Sequence, residues 1–237
     1  MTAYKSSKSS WEGVSPALPY ASFLPLPRPR YLGTPLSSYW MTSIGQRERA
    51  TQDRVVNLFT KVLKWDYLGN WEDRSNSNVE PDLLGAYLSD HYAPELVTKA
   101  IHHLQRVAGD QSRDLYEVNK DVYQLLRYGI QVSEGHGSHK ETVCPIDWTT
   151  PQRNHFALAE EVTIVGENRK RPDLVLYVNG IALGVLELKR STISVTEGIR
   201  QNLSNQQGRF IERFFTTMQL VMAGNDTGGL RYGTIRT

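Results

Sequence analysis

An aspartate, a glutamate and a lysine lie at the ends of two apolar segments that favour a β-hairpin. The segments flank Asn179-Gly180, a dipeptide typical of tight turns between antiparallel strands. Asp173 precedes the first strand, whereas Glu187 and Lys189 end the second. Because side chains along a strand alternate between the two faces of a sheet, Glu187 and Lys189 are expected on one surface.

The geometry of the turn decides whether Asp173 shares that surface. A plain two-residue loop at Asn179-Gly180 would leave Asp173 on the face opposite Glu187. A three-residue loop, with the glycine left-handed in a G1 bulge, would pair Asp173 with Val185, on the same face as Glu187. The three polar residues can form a site only if the turn is bulged or an equivalent bulge lies near Pro172. We predict the bulged turn, or an equivalent bulge near Pro172.

Such a cluster suits metal-assisted hydrolysis of a phosphodiester. Asp173 and Glu187 offer the oxygen ligands that Mg²⁺ prefers, and the carbonyl of Leu188 can supply a third. Lys189 would orient a water molecule or offset charge on the transition state. The alternative is an ordinary hairpin whose polar side chains form a solvated cross-strand pair, worth at most about 1 kcal/mol. The strongly apolar strand before Glu187 favours a site at the edge of a sheet.

Pro172-Asp173, thirteen further residues and Glu187-Leu188-Lys189 resemble the PD-(D/E)xK nuclease motif, which is short and weakly specific on its own. The wider context resembles the restriction (R) subunit of type I restriction-modification enzymes, from about Thr42 to the end. The segments that carry this resemblance are residues 50–55, 119–129, 146–148, 170–180, 187–191 and 198–202.

This resemblance implies an α/β fold, a restriction-endonuclease-like mixed β-sheet flanked by helices. It also implies a DNA endonuclease that depends on Mg²⁺, or on Mn²⁺ in its place, and that is located in a bacterial or archaeal cytoplasm. In the family the nuclease domain precedes an ATP-driven DNA translocase, and a specificity subunit with methyltransferase partners recognises the site. The chain has no Gly-x-x-x-x-Gly-Lys-Ser/Thr phosphate loop, so ATP is expected only in a full-length subunit.

The family places a glutamine on the helix after the hairpin, where it supports the site and touches DNA. Gln201 matches this glutamine, whereas Asn205 stands where the family usually has tyrosine. Asn205 could instead reach phosphate through hydrogen bonds. Basic residues near the motif complete the expected DNA contacts. These expected contacts are Arg171, Arg190 and Arg200, together with Asn205.

Four acidic residues outside the motif are weaker candidates. The first helix of such nucleases often donates an acid to the site, which here would be Glu48 or Asp53, although a solvent-facing carboxylate is the commoner role. Glu160 and Glu161 are adjacent in a predicted strand and would face opposite ways, so at most one could touch the metal. Both are left outside the predicted site.

Composition divides the chain into segments. Residues 1–40 hold six of the eleven prolines and are expected to be an extended or disordered arm. Residues 41–217 form the predicted nuclease domain, with a helical insertion at about 81–128, and residues 218–237 begin the link to the motor. The net charge of +2 requires any DNA contact to be local. The single cysteine, Cys144, is compatible with a reducing cytosol.

Two other interpretations remain open. The domain could be a non-catalytic module that docks the motor to partner subunits, in which case Asp173 and Glu187 need not bind a metal. A stand-alone repair or homing nuclease is the third interpretation. It is disfavoured because no recognition domain is evident and the last segment resembles the passage into the motor.

Overall fold

The structure, a computed structural model, describes residues 48–133, 135 and 139–236. The Pro-rich segment at residues 1–40 lies outside this range, so the expectation of an extended arm stays a prediction. No helix within the described range is long and apolar enough to cross a membrane.

Five α-helices and ten β-strands make up the described chain. The helices are α1 (Glu48–Asn57), α2 (Pro81–Ser89), α3 (Pro94–Ala108), α4 (Leu115–Tyr128) and α5 (Val195–Asn205). The strands are β1 (Asp66–Asn70), β2 (Ile130–Val132), β3 (Glu141–Val143), β4 (Phe156–Glu160), β5 (Ile164–Val165), β6 (Arg169–Lys170), β7 (Leu174–Val178), β8 (Ile181–Leu188), β9 (Leu220–Asn225) and β10 (Gly229–Gly233). A π-helical turn (Leu58–Val62) and two 3₁₀ turns (Pro151–Arg153 and Glu212–Thr216) complete the elements.

Six strands form one mixed sheet in the order β1-β4-β7-β8-β9-β10. The pairs β1–β4 and β8–β9 are parallel, and the other neighbours are antiparallel. Alternate residues of β7 and β8 face opposite apolar cores: Leu174 and Leu186 pack with Val55 of α1, whereas Val175 and Val185 pack on the other side. This arrangement confirms the predicted α/β class, a mixed sheet with helices on both faces.

The helical segment between β1 and β4 is present as predicted. Prolines occupy the first turn of α2 and α3, where the missing N–H removes no helical hydrogen bond. The carboxylate of Asp114 caps α4 by accepting from the backbone N–H of Glu117 at 2.9 Å, and Gly129 ends that helix at φ 83°. The three helices pack with the β2–β3 strand pair into a second core, which also includes Ile181 of β8.

The turn between β7 and β8 differs from the predicted three-residue loop. Val178 pairs with Ile181, so only Asn179 and Gly180 lie in the loop. Both loop residues have positive φ, 51° and 79°, as a type I′ turn requires. The prediction of a bulged turn was therefore wrong.

A bulge nevertheless occurs within β8, and it has the predicted effect on the faces. The pairing register shifts so that Leu183 is the extra residue and Leu176 pairs with Gly184. Beyond the bulge the pairing continues without a further shift to its last pair, Leu174 with Leu186. Extending the same register by one residue places Asp173 opposite Glu187. The two carboxylates therefore share one face of the hairpin.

The final segment, residues 218–237, contributes two strands to the main sheet. β9 pairs in parallel with β8, and β10 pairs with β9. The boundary placed at residue 217 and the role of this segment as a link stay predictions.

Candidate active site

The candidate site lies at one edge of the sheet, where three strand ends meet. β7 runs antiparallel to both β4 and β8, so the start of β7 lies beside the ends of its two neighbours. Asp173 directly precedes β7, Glu187 is the penultimate residue of β8, and Lys189 follows that strand. The topology alone therefore brings the three predicted residues to a common edge.

Asp173 is tied to the neighbouring strand through its side chain. The backbone N–H of Leu188 donates a hydrogen bond to Oδ2 of Asp173 at 2.6 Å. Such a charge-assisted bond is among the stronger interactions available to a carboxylate. The bond fixes the Asp173 carboxylate beside the segment that holds Glu187 and Lys189.

Glu187 has no solvent-exposed surface, and two polar side chains reach its carboxylate. The Nζ of Lys189 lies 3.9 Å from Oε2 of Glu187, and the amide of Gln201 donates to the same oxygen at 2.7 Å. The lysine side chain is itself largely buried, with 16% of its surface exposed. The structure thus brings together Asp173, Glu187, Lys189 and Gln201.

Helix α5 carries Gln201 to this position because the helix approaches the sheet closely. The hydroxyl of Ser194 caps the helix by accepting from the N–H of Thr196 at 3.2 Å. One turn before Gln201, a Cβ added to Gly198 would lie 3.0 Å from the Cβ of Ala223. A glycine at this position lets the helix lie against β8 and β9, with its glutamine over Glu187.

The donor set at the edge fits a hard cation such as Mg²⁺. Mg²⁺ in proteins is commonly bound through one or two carboxylates, with water and phosphate completing the coordination. Asp173 and Glu187 supply two carboxylates, and the carbonyl of Leu188 is the adjacent backbone oxygen. Over the described residues no group of three or more His, Cys, Asp and Glu has metal-binding geometry. A metal here would therefore depend on backbone and water oxygens as well.

The four residues expected to contact DNA differ in accessibility. Arg190 and Arg200 are exposed and directly adjoin Lys189 and Gln201 in the sequence, and Arg200 pairs with Glu197. Arg171 is held by two acids, Glu72 and Glu161, with its Nε 2.9 Å from Oε2 of the latter. The fourth residue, Asn205 in α5, is buried.

Asn205 is only 1% exposed. A side chain enclosed in this way does not reach a phosphate on the surface, so its burial argues against the expected contact. Asn205 lies one helical turn after Gln201 but faces the protein interior. The four-residue spacing suggested that both side chains point toward the site, so it did not predict this burial.

Neither acid of the first helix is placed at the site by a described contact. Asp53 is 53% exposed and pairs with Arg49 at 2.9 Å, the ordinary arrangement of a surface helix. Glu48 begins α1, and its side chain lies outside the described part of the chain.

Glu160, which the sequence prediction left outside the site, is a buried carboxylate at the same sheet edge. It accepts hydrogen bonds from Tyr67 at 2.6 Å, from Arg49 at 3.0 Å and from Gln52 at 3.1 Å. Burial opposes its ionisation, but these three donors outweigh the burial and hold the pKa of Glu160 below its ordinary value. Burial, and then the bond to Glu160, raises the pKa of Tyr67 to about 12.

Glu161 adopts the left-handed conformation, with φ 52°. The chain turns there, so the two adjacent acids do not face opposite ways as expected for a strand. The amide of Gln52 instead lies 3.1 Å from Oε2 of Glu160 and 3.1 Å from Oε1 of Glu161. The pair of acids at the end of an apolar strand is the one sequence signal that could have indicated this cluster.

Two comparisons relate the chain to known proteins. A comparison with curated proteins finds no match. A family profile described as the type I restriction enzyme R protein N terminus matches residues 45–237. The match includes the candidate site, the helical segment and the final strands. The chain therefore belongs to the family of type I restriction enzyme R protein N-terminal domains.

Proposed function

We propose that this domain is a Mg²⁺-dependent endonuclease that cuts DNA phosphodiester bonds without sequence preference of its own. The observation that carries the proposal is the convergence of Asp173, Glu187, Lys189 and Gln201 at one edge of the sheet. Burial of Glu187 with a lysine and an amide on one oxygen is unusual for an ordinary surface hairpin. A solvated cross-strand pair would leave all these groups in water.

Asp173 and Glu187 would hold the metal, with the Leu188 carbonyl as a third ligand and Mn²⁺ as a possible substitute. When bound, the ion would polarise the phosphate and make its coordinated water a stronger acid. Lys189 would place its ammonium against the charge that develops on the phosphate. Gln201 would keep the Glu187 carboxylate in one orientation through its 2.7 Å bond.

Contacts with DNA would come from exposed basic residues at the same edge. Arg190 directly follows Lys189, and Arg200 directly precedes Gln201, so both lie within one residue of the proposed site. Contacts of this kind neutralise phosphates and position the duplex without reading base sequence. The proposal therefore assigns recognition of the DNA site to other subunits.

Within the restriction complex, cleavage would follow translocation of DNA by an ATP-dependent motor in the full-length R subunit. A specificity subunit and methyltransferase subunits would be the partners. These assignments rest on family membership and on the resemblance of the motif segments.

Nicking of supercoiled plasmid by the 237-residue chain tests the proposal. We expect cutting that requires Mg²⁺ or Mn²⁺ and that disappears in Asp173→Ala and in Lys189→Ala. Matched changes on the helical segment, Asp90→Ala and Lys120→Ala, should leave it intact. Cutting that survives both site changes would refute the assigned site. If the isolated chain does not cut, the same variants in the full subunit with ATP and partners decide between a nuclease and a docking module.

A further inference from the structure

Glu161 contacts the residues on both sides of Pro172, immediately before the proposed metal ligand. Its backbone N–H donates to the carbonyl of Asp173 at 2.9 Å, and its Oε2 lies 2.9 Å from Nε of Arg171. The next N–H, from Val162, donates to the carbonyl of Pro172 at 3.1 Å. Glu161 and Val162, which directly follow β4, therefore fix residues 171–173 beside the end of that strand.

The backbone of Glu161 is held in a conformation that glutamate seldom adopts. Positive φ in a residue with a Cβ carries a steric penalty and persists only where surrounding contacts impose it. The side chain of Glu161 supplies such contacts, because it is engaged by Gln52 at one oxygen and by Arg171 at the other. Only 17% of this side chain is exposed, which favours a fixed arrangement.

Gln52 connects this turn to the first helix. Its Nε2 bridges Glu160 and Glu161, and its side chain is 3% exposed. Glu160 is in turn anchored by Arg49 and Tyr67, so the bridge rests on a carboxylate that is already fixed. A neutral amide joins two adjacent acids that would otherwise repel each other.

We propose that Gln52 and Glu161 are positioning residues that set the location of Asp173 relative to Glu187. They act through the side-chain contacts of Glu161 with Gln52 and Arg171, which fix the left-handed turn whose N–H bonds the Asp173 carbonyl, and neither contacts the reacting groups. This inference rests on the proposed nuclease function for its purpose, although the geometry itself exists without a metal.

The amide of Leu188 offers a measurement that needs neither metal nor DNA. That amide donates to the Asp173 carboxylate at 2.6 Å, so its hydrogen exchange reports where the carboxylate lies. Exchange can be measured in the full chain for Gln52→Met, which removes the bridging amide without changing charge. The second variant is Glu161→Gly, which removes the steric penalty of the positive φ and also removes the side-chain contacts of Glu161. Asp173→Ala serves as the positive control.

We expect the Leu188 amide to exchange about tenfold faster in Gln52→Met and Glu161→Gly, because a displaced Asp173 carboxylate weakens the charge-assisted bond that protects this amide. Mn²⁺ should bind about tenfold more weakly in both variants, since loss of contacts that orient a metal ligand typically lowers metal affinity by that factor or more. A purely stabilising role of the Glu161 side chain predicts a lower thermal midpoint. Positioning predicts that Glu161→Gly keeps or raises it, since glycine tolerates this φ. The matched change Gln131→Met, at the exposed position of β2, should alter none of these values.

Two results would overturn the proposal. One is unchanged exchange of the Leu188 amide in both variants while Asp173→Ala loses its protection. The other is a uniform loss of protection across β7, β8 and β9 with a lower thermal midpoint, which would reveal a general packing role. Failure of the wild-type chain to bind Mn²⁺ through Asp173 would instead count against the nuclease function, and the exchange measurement would still decide the positioning role.

Discussion

Gln201 donates a hydrogen bond from its amide to Oε2 of Glu187 at 2.7 Å, although the glutamate has no exposed surface. A buried carboxylate loses the water that would solvate its charge, so a protein donor has to replace that water. Helix α5, which follows the β7–β8 hairpin, thus stabilises that hairpin through this hydrogen bond as well as by packing.

Replacing this donor should destabilise the protein. Gln201→Leu removes a hydrogen bond to a buried charged group, which typically costs about 1–3 kcal/mol. We expect a lower free energy of unfolding in urea, measured without divalent metal. Gln207→Leu, which affects a side chain bonded to Arg209 near the surface, should have a much smaller effect. Equal stability of Gln201→Leu and the wild type would show that the bond contributes little.

Loss of the Lys189 ammonium should lower the rate of DNA cleavage without lowering the affinity for the metal. Lys189→Met removes a positive charge 3.9 Å from Glu187, so it relieves repulsion between lysine and an incoming cation. We expect Mn²⁺ affinity to hold or rise, while the single-turnover rate of plasmid nicking falls by about 100-fold. Lys189→Arg should recover part of the rate, and Lys120→Met should leave it unchanged. A variant that loses metal binding and rate together would contradict this assignment.

The close contact at Gly198 should make this glycine intolerant of a side chain. An added Cβ would lie 3.0 Å from the Cβ of Ala223 and 3.7 Å from that of Glu187, so Gly198→Ala forces α5 away from the sheet. Gly85 in α2 provides the matched control, because its nearest neighbour would be a flexible Ile101 methyl at 3.6 Å. We expect Gly85→Ala to stabilise by up to about 1 kcal/mol through helix propensity, and Gly198→Ala to lose that gain. Thermal denaturation of the two variants compares them directly.

Because of Glu160, the free energy of unfolding should depend on pH in the acidic range. Its pKa is lowered in the folded chain, so the unfolded chain binds the proton more readily near the ordinary value of 4.5. The stabilisation is complete above that pH and is lost as the pH falls through the lower folded value. Relative to the wild type, Glu160→Gln should be less stable at about pH 6, and the difference should shrink at about pH 3. Glu167→Gln, at an exposed site, should show no such trend in urea unfolding.

Much of the fold follows from local patterns, but the position of the bulge does not. Asn179-Gly180 indicated the hairpin because both residues accept positive φ. The bulge at Leu183 depends on how β7 and β8 match over their whole length. Gly184, next to the bulge, was an available signal: a Cβ there would lie 3.2 Å from the side chain of Leu176. The prediction from sequence placed Asp173 on the correct face of the hairpin, although the turn that it assumed was wrong.

Not all segments that resemble the R subunit serve the site. The amide of Asn119 donates to three backbone carbonyls before β9, those of Phe215, Thr216 and Met218, and so fixes α4 against that loop. The amide of Asn179 donates to Asn154 and to the carbonyl of Pro145, at the end of the hairpin opposite the candidate site. Sequence motifs alone cannot separate such scaffold residues from reactive ones, because both need specific polar side chains.

The contacts of the sheet edge also predict an order of assembly. Asp173 and Leu188 are 15 positions apart in the chain, and Gln201 and Glu187 are 14 apart, so these contacts close short loops. The bonds of Glu160 to Arg49 and Gln52 span 111 and 108 positions, and loop closure becomes entropically more demanding with such separations. A growing chain can therefore assemble the hairpin and its helix as a local unit. Helix α1, which precedes these elements in the chain, can form its bonds to Glu160 only after β4 is present.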